Sequence, residues 1–240
     1  MGKRPNIIII NPDQMRADSM RHLGNNAAVT PSLDQLAKEG VSFSKAFCQN
    51  PVCTPSRCSF MSGWYPHVAG HRTMNHMMHS NEPVLFYATV EEIARLPKSH
   101  THFGKSLVPF LNNKEEKIRD EVFCEGGFRK GENHCKETGG QEKPLPTGLY
   151  YPRQFLQASD EMFNGKAVMI RTKEYKYIRR LYEEDEFYDF KKDSIEVKNE
   201  IDNPEYKELI MEMKERLLTH YQDTCDVVPF KKDRRMDLHL

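Results

Sequence analysis

Four consecutive isoleucines, Ile7 to Ile10, framed by Asn6 and Asn11, constrain this chain more than any other stretch. β-branched side chains on both faces of an extended segment predict a central strand covered on both sides, as in the parallel sheet of an α/β fold. Asp13 and Gln14 lie just past its C-terminal end, where open α/β sheets gather their ligands. Thr30-Pro31 opens a helix that runs through Glu39, with Leu33, Leu36 and Ala37 on one face and Gly40 as its stop. Val41 to Phe47 alternates well enough for a second strand, whose end would deliver Gln49, Asn50 and Cys53 to the same edge.

The 240 residues suffice for one substantial domain, or a domain with a small appendage. Basic and acidic residues balance at 35 each, so there is no electrostatic case for nucleic acid or an anionic membrane surface. No stretch approaches the ~20 apolar residues of a membrane span. Met1-Gly2-Lys3-Arg4-Pro5 leads into only the isoleucine run, short of a signal-peptide core, so the expected address is cytoplasmic. Cys48, Cys53, Cys58, Cys124, Cys135 and Cys225 are too sparse for a disulfide scaffold and read as thiols of a reducing compartment. The first three recur every five residues but lack the Cys-X-X-Cys pairs of a zinc site.

Cys53-Thr54-Pro55-Ser56-Arg57 places one of these thiols where a helix should begin. Thr54 suits an N-cap, Pro55 the first helical position and Gly63 the stop, which predicts Cys53 just outside the helix N-terminus. Free N–H groups and the positive end of the helix dipole favour negative charge there, and Arg57 adds a fixed cation about one turn on. An oxyanion site is implied.

Farther along, Phe86 to Leu96 has helical spacing and ends before Pro97, and Glu121 to Cys124 is a short strand candidate. Residues 129–148, rich in Gly, Lys, Glu and Pro, read as a long connection between a core over 1–128 and a smaller C-terminal α+β part over 149–240. In that part, Ala167 to Thr172 and Tyr175 to Leu181 look like paired strands around Lys173-Glu174, followed by Phe187 to Phe190. Pro204 starts a helix with Tyr206, Leu209, Ile210, Met213 and Leu217 on its apolar face.

Cys-X-Pro-Ser-Arg resembles the signature of the sulfatases, members of the alkaline phosphatase superfamily. Asn6 to Ile10 with Asp13-Gln14-Met15-Arg16 looks like that family's first strand and metal loop. Gly63-Trp64-Tyr65-Pro66-His67 and Arg72-Thr73-Met74-Asn75-His76 look like its next active-site stretches, and Lys176-Tyr177-Ile178 with Glu186 to Phe190 like its C-terminal subdomain. The resemblance implies an α/β fold and hydrolysis of a small-molecule sulfate monoester. It implies that a maturation enzyme converts Cys53 to formylglycine, the nucleophile, with Arg57 holding it and stabilising charge. Asp13 and Gln14, with the modified Cys53, would bind a divalent cation, Ca²⁺ first and Mg²⁺ or Mn²⁺ next, and Asn75 and His76 would face the substrate. A phosphonate or phosphate ester hydrolase of the same superfamily is the alternative, since Asp13-Gln14 and Asn75 fit that branch too.

One departure bears on activity. After Asn75 to Ser80 a family member continues through a central segment with a Gly-Lys motif and an Asp-His-Gly or Asp-Asn-Gly metal motif. Neither acidic motif occurs in this chain. Val84 to Val90 instead resembles the helix that follows them, which predicts an internal deletion with its junction near residues 79–86. Little or no turnover is therefore expected, and a non-catalytic remnant is the rival of a different class.

Overall fold

Four strands, β1 (Val122–Gly126), β2 (Ala167–Arg171), β3 (Tyr175–Arg180) and β4 (Glu186–Asp189), pair antiparallel in the order β1-β2-β3-β4. The computed structural model describes residues 5–84, 88–98, 100–112, 117–137, 146–148 and 150–230. Register aligns Phe123 with Ile170, Ile170 with Tyr177, and Tyr177 with Phe187, so one apolar row crosses all four strands. The turn between β2 and β3 is closed by Thr172, whose Oγ1 accepts hydrogen bonds from the backbone N–H of Glu174 at 3.3 Å and Tyr175 at 3.0 Å. A Thr side chain that folds back on its own turn in this way fixes the hairpin and its register.

Over this row lies α7 (Lys207–Thr224), the helix expected after Pro204, entered through a single 3-10 turn at Pro204–Tyr206. Asn203 caps that turn by accepting from the Glu205 N–H at 3.0 Å. Tyr206, Ile210, Met213 and Leu217 of the predicted apolar face pack on Ile170, Tyr177 and Phe187. Ile170, Tyr177, Phe187 and Met213 are wholly buried, each contributing on the order of 1.5–3 kcal/mol through apolar burial. The two phenols in this core keep polar partners: Tyr177 donates to Asp185 at 2.6 Å and Tyr206 to Asp189 at 2.8 Å.

The N-terminal half is helical and loosely covered. It comprises α1 (Pro31–Glu39), α2 (Cys53–Ser62), α3 (Pro66–Ala69), α4 (Ala88–Ala94) and α5 (Val108–Leu111); a further helix, α6 (Tyr151–Ser159), follows the loop region. α1 has the expected boundaries, but Leu33 and Leu36 on its apolar face remain exposed. α4 falls within the helix expected over 86–96 but ends at Ala94, with Arg95 at φ +54° and outside the helix; Phe86 lies outside the described residues.

Two expected strands are corrected. Ile7 to Ile10 joins no ladder among the described residues, and Ile8 and Ile10 are 84% and 80% exposed. Val41 to Phe47 is likewise without strand pairing, with Val41, Phe43 and Phe47 exposed. The physical reason is the same for both. A strand buried on two faces is stable only with hydrogen-bonded neighbours beside it and helices above and below, and the described residues supply neither. The hydrophobic pattern says which side chains seek cover, and not that the cover is present.

The described part of 129–148 is ordered around a 3-10 turn at Asn133–Cys135; residues 138–145 lie outside the described set. All six cysteines are unpaired. Among the described residues no helix is long and apolar enough to cross a membrane.

Candidate active site

α2 begins two residues earlier than its sequence suggests. Val52, in extended conformation, is the N-cap, its carbonyl accepting from the Ser56 N–H at 3.0 Å, so Cys53 is the first helical residue. Pro55 then falls at the third position, still within the turn whose N–H groups have no intrahelical acceptor, so its missing donor costs nothing. Thr54 does not cap; its hydroxyl reaches the Met74 Sδ at 3.6 Å. At the far end Gly63, at φ +70°, takes the left-handed cap, with its N–H on the Ser59 carbonyl at 2.8 Å. The exposed thiol of Cys53 thus stands at the positive end of a 10-residue helix.

Arg57, one turn on, donates through Nη2 to Asp13 Oδ1 at 2.6 Å. The two side chains are 48% and 79% exposed, so the pair is worth at most about 1 kcal/mol of stability. Its consequence is positional: it draws the segment after the isoleucine run to the helix that carries Cys53. Gln14 adopts φ +49°, a left-handed conformation that costs a residue with a Cβ about 1 kcal/mol or more, and its Oε1 accepts from the Tyr150 hydroxyl at 3.0 Å. Asp13, Arg57 and Cys53 therefore share one corner, and Gln14 turns toward Tyr150 at the start of α6.

The 72–76 stretch is sewn to the 129–137 segment. Asn75 Nδ2 donates to the carbonyls of Lys136 at 2.9 Å and His134 at 3.4 Å, and the Met74 N–H donates to Glu137 Oε1 at 3.1 Å. The Nη2 of Arg72 lies 3.1 Å from both Glu132 oxygens, while Arg129 donates to the same carboxylate through Nε at 2.9 Å and its backbone N–H at 2.8 Å. Burial pulls the Glu132 carboxyl upward, but the Arg129 and Arg72 hydrogen bonds outweigh it and hold the group at about 2. His76 engages Thr73 Oγ1 through Nδ1 at 2.7 Å. Its imidazole is pushed below the ordinary histidine range, first by burial and then by His134, Arg72 and His71, which favours the neutral ring. His71 in turn bonds the His76 carbonyl at 3.0 Å and Glu82 at 2.7 Å, a structural tie within the same stretch.

Sequence reasoning singled out Asn75 and His76 but missed their counterparts Glu132, His134 and Cys135. Arg129 and Glu132 at i, i+3 offered the one local hint; the contacts that matter span roughly sixty residues.

The Cys53 thiol at the start of α2, Arg57 one turn on and the Asp13 carboxylate paired to Arg57 are thus gathered at one end of the helix. The sulfatase family profile matches residues 5–167, and the chain belongs to that family. Its α/β class accordingly holds in truncated form, with the four-stranded antiparallel sheet as the sheet found among the described residues. The chain is 45% identical over 67 residues to an ulvan-active sulfatase of Formosa agariphila, an alignment covering 28% of this chain and 13% of that protein. It is 40% identical over 65 residues to the human steryl-sulfatase, covering 27% and 11%. A phosphonate monoester hydrolase structure from Agrobacterium radiobacter superposes with a TM-score of 0.40 at 23% identity, over 57% of this chain and 24% of that one. The matched stretch spans about an eighth of the length of these curated relatives.

Proposed function

We propose that the chain presents the nucleophile side of a sulfate-monoester hydrolase, with Cys53 as the reacting residue once a maturation enzyme has oxidised it to formylglycine. The observation that carries this reading is Cys53 at the first position of α2 with Arg57 paired to Asp13, inside a stretch belonging to the sulfatase family. One hydroxyl of the hydrated aldehyde would attack the sulfur of a small-molecule sulfate ester as the ester S–O bond breaks and the alcohol leaves with the proton; loss of the second hydroxyl's proton would then re-form the aldehyde carbonyl and expel sulfate, and water would rehydrate the aldehyde. Around it, Arg57 and the N-terminal N–H groups of α2 attract the sulfate oxygens. Asn75 and His76, beside the Met74 that meets Thr54 of α2, are assigned to the substrate side, His76 only while no metal ion holds its ring. The six unpaired thiols support a cytoplasmic setting.

Asp13 and Gln14 are hard oxygen donors of the kind Ca²⁺, Mg²⁺ or Mn²⁺ accepts. Three side-chain oxygens fall well short of the roughly six to eight that Ca²⁺ takes, and two of them, Asp13 Oδ1 and Gln14 Oε1, already accept from Arg57 and Tyr150. The described residues therefore fit part of a cation shell, and turnover by this chain is expected to be small.

The test is production beside a cysteine-type maturation enzyme, followed by peptide mapping and paired assays on an aryl sulfate and an aryl phosphonate. Aldehyde at Cys53 alone, trace sulfate hydrolysis lost in Cys53→Ala, and recovery when the central segment is restored near residues 79–86 are expected. An unmodified Cys53 under these conditions refutes the nucleophile assignment. Preferred turnover of the phosphonate refutes the substrate class, and strong turnover by the 240-residue chain refutes the incomplete site.

A further inference from the structure

We propose that His76, His134 and Cys135 form a binding site for a borderline-soft divalent cation, Zn²⁺ by preference, separate from the oxygen donors Asp13 and Gln14. A ring nitrogen of each histidine and the Cys135 Sγ lie within 4.8 Å of one another. Zinc bonds of ~2.0–2.3 Å at tetrahedral angles hold their donors about 3.3–3.8 Å apart, so side-chain shifts of about 1 Å close the site. Two imidazoles and one thiolate suit zinc and its neighbours in the first transition row, and are a poor match for Ca²⁺ or Mg²⁺.

The groups are positioned rather than merely near. His134 and Cys135 are consecutive in the 3-10 turn Asn133–Cys135, and the Cys135 N–H is anchored on the Glu132 carbonyl at 2.9 Å. Asn75 holds the carbonyls of His134 and Lys136, on either side of Cys135, while its neighbour His76 meets the His134 ring edge to face at 5.8 Å between centroids. The Thr73 hydroxyl occupies Nδ1 of His76, which orients the ring and leaves Nε2 for a metal, the role second partners play for ligating histidines. Glu132 lies 3.9 Å from the Cys135 Sγ but is committed to Arg72 and Arg129 and is not counted as a ligand. Cys135 is buried and His134 exposed, so the thiolate is shielded while the ion enters from the His134 side, where water completes the fourth position. Binding releases the Cys135 Sγ proton to solvent, one per ion, with no change of oxidation state.

The proposal does not depend on sulfate hydrolysis, and its test reads binding alone. The full chain, stripped with a chelator and kept in excess Mg²⁺, is titrated with Co²⁺ and then with Zn²⁺. One equivalent of Co²⁺ should give thiolate-to-cobalt charge-transfer absorption and tetrahedral d–d bands, and one equivalent of Zn²⁺ should bleach both. Cys135→Ser should remove the charge-transfer band, and Thr73→Val should weaken Zn²⁺ binding by about 10- to 100-fold. His134→Ala should weaken it at least as much, and because that side chain is exposed, circular dichroism should stay unchanged. Cys225→Ser and Cys53→Ala should leave the band intact. Absence of a band, its survival in Cys135→Ser, unchanged affinity in a folded His134→Ala protein, or its loss with Cys53 or Cys225 would each overturn the site.

Discussion

Glu132→Gln removes the charge on which Arg72 and Arg129 converge, and its cost can be worked from the structure. The carboxyl drops from 4.5 to about 2 on folding, which at about 1.4 kcal/mol per unit corresponds to roughly 3 kcal/mol at neutral pH. Arg129 is 66% exposed, so water screens part of that attraction, while Arg72 is largely buried and loses its counter-charge; about 2 kcal/mol is the expected loss. Urea unfolding at pH 7 should show a midpoint lowered by about 1 M, for a slope of about 2 kcal/mol per molar. The sign follows from the depressed carboxyl. Its stabilisation is complete above the unfolded value near 4.5 and is lost as pH falls through about 2, so the gap between wild type and variant should narrow from pH 5 to pH 3. A midpoint shift below about 0.3 M at pH 7, or a gap independent of pH over that range, refutes the hub.

His220, stacked on Phe123 at 3.6 Å, is held neutral chiefly by burial, with the nearby His67 adding to the effect, and its imidazole falls to about 4. A depressed histidine stabilises the fold fully above its unfolded value near 6.5 and ceases to do so as pH falls through about 4; His220→Phe should flatten the thermal-midpoint profile in that window. Gly127, at φ +74°, has no room for a side chain, since a Cβ would sit 2.4 Å from the Gly165 carbonyl oxygen, so Gly127→Ala should cost at least ~2 kcal/mol in denaturant unfolding.

What could be read from residues alone follows how local the determinants are. The β2–β3 hairpin, α1 and α7 are specified by neighbours within a few positions: a Thr that folds back on its own turn, a Pro at the helix entrance, an apolar stripe at helical spacing. α2 starts two residues before the position its side chains suggest, because Val52 supplies the cap through backbone conformation alone, which no side-chain preference signals. Ile7 to Ile10 and Val41 to Phe47 were misread because strand formation depends on partners elsewhere, and pattern cannot report whether they are present. In the site, Asp13, Arg57 and Cys53 were legible as a motif. The Glu132 hub and the His134-Cys135 turn come from a segment without periodicity, whose order arises only when it meets Arg72 to His76.

The unpaired isoleucine run carries a cost for the chain in crowded solution. An extended, uncharged β-branched segment whose amide and carbonyl groups lack strand partners is a template for another copy of itself, since edge-to-edge pairing satisfies the backbone and removes four apolar side chains from water together. With basic and acidic residues exactly balanced in number, no net charge keeps the copies apart. Concentration is therefore expected to act on this protein as a second folding variable, because pairing with another copy would give the isoleucines the cover that the rest of the described chain does not.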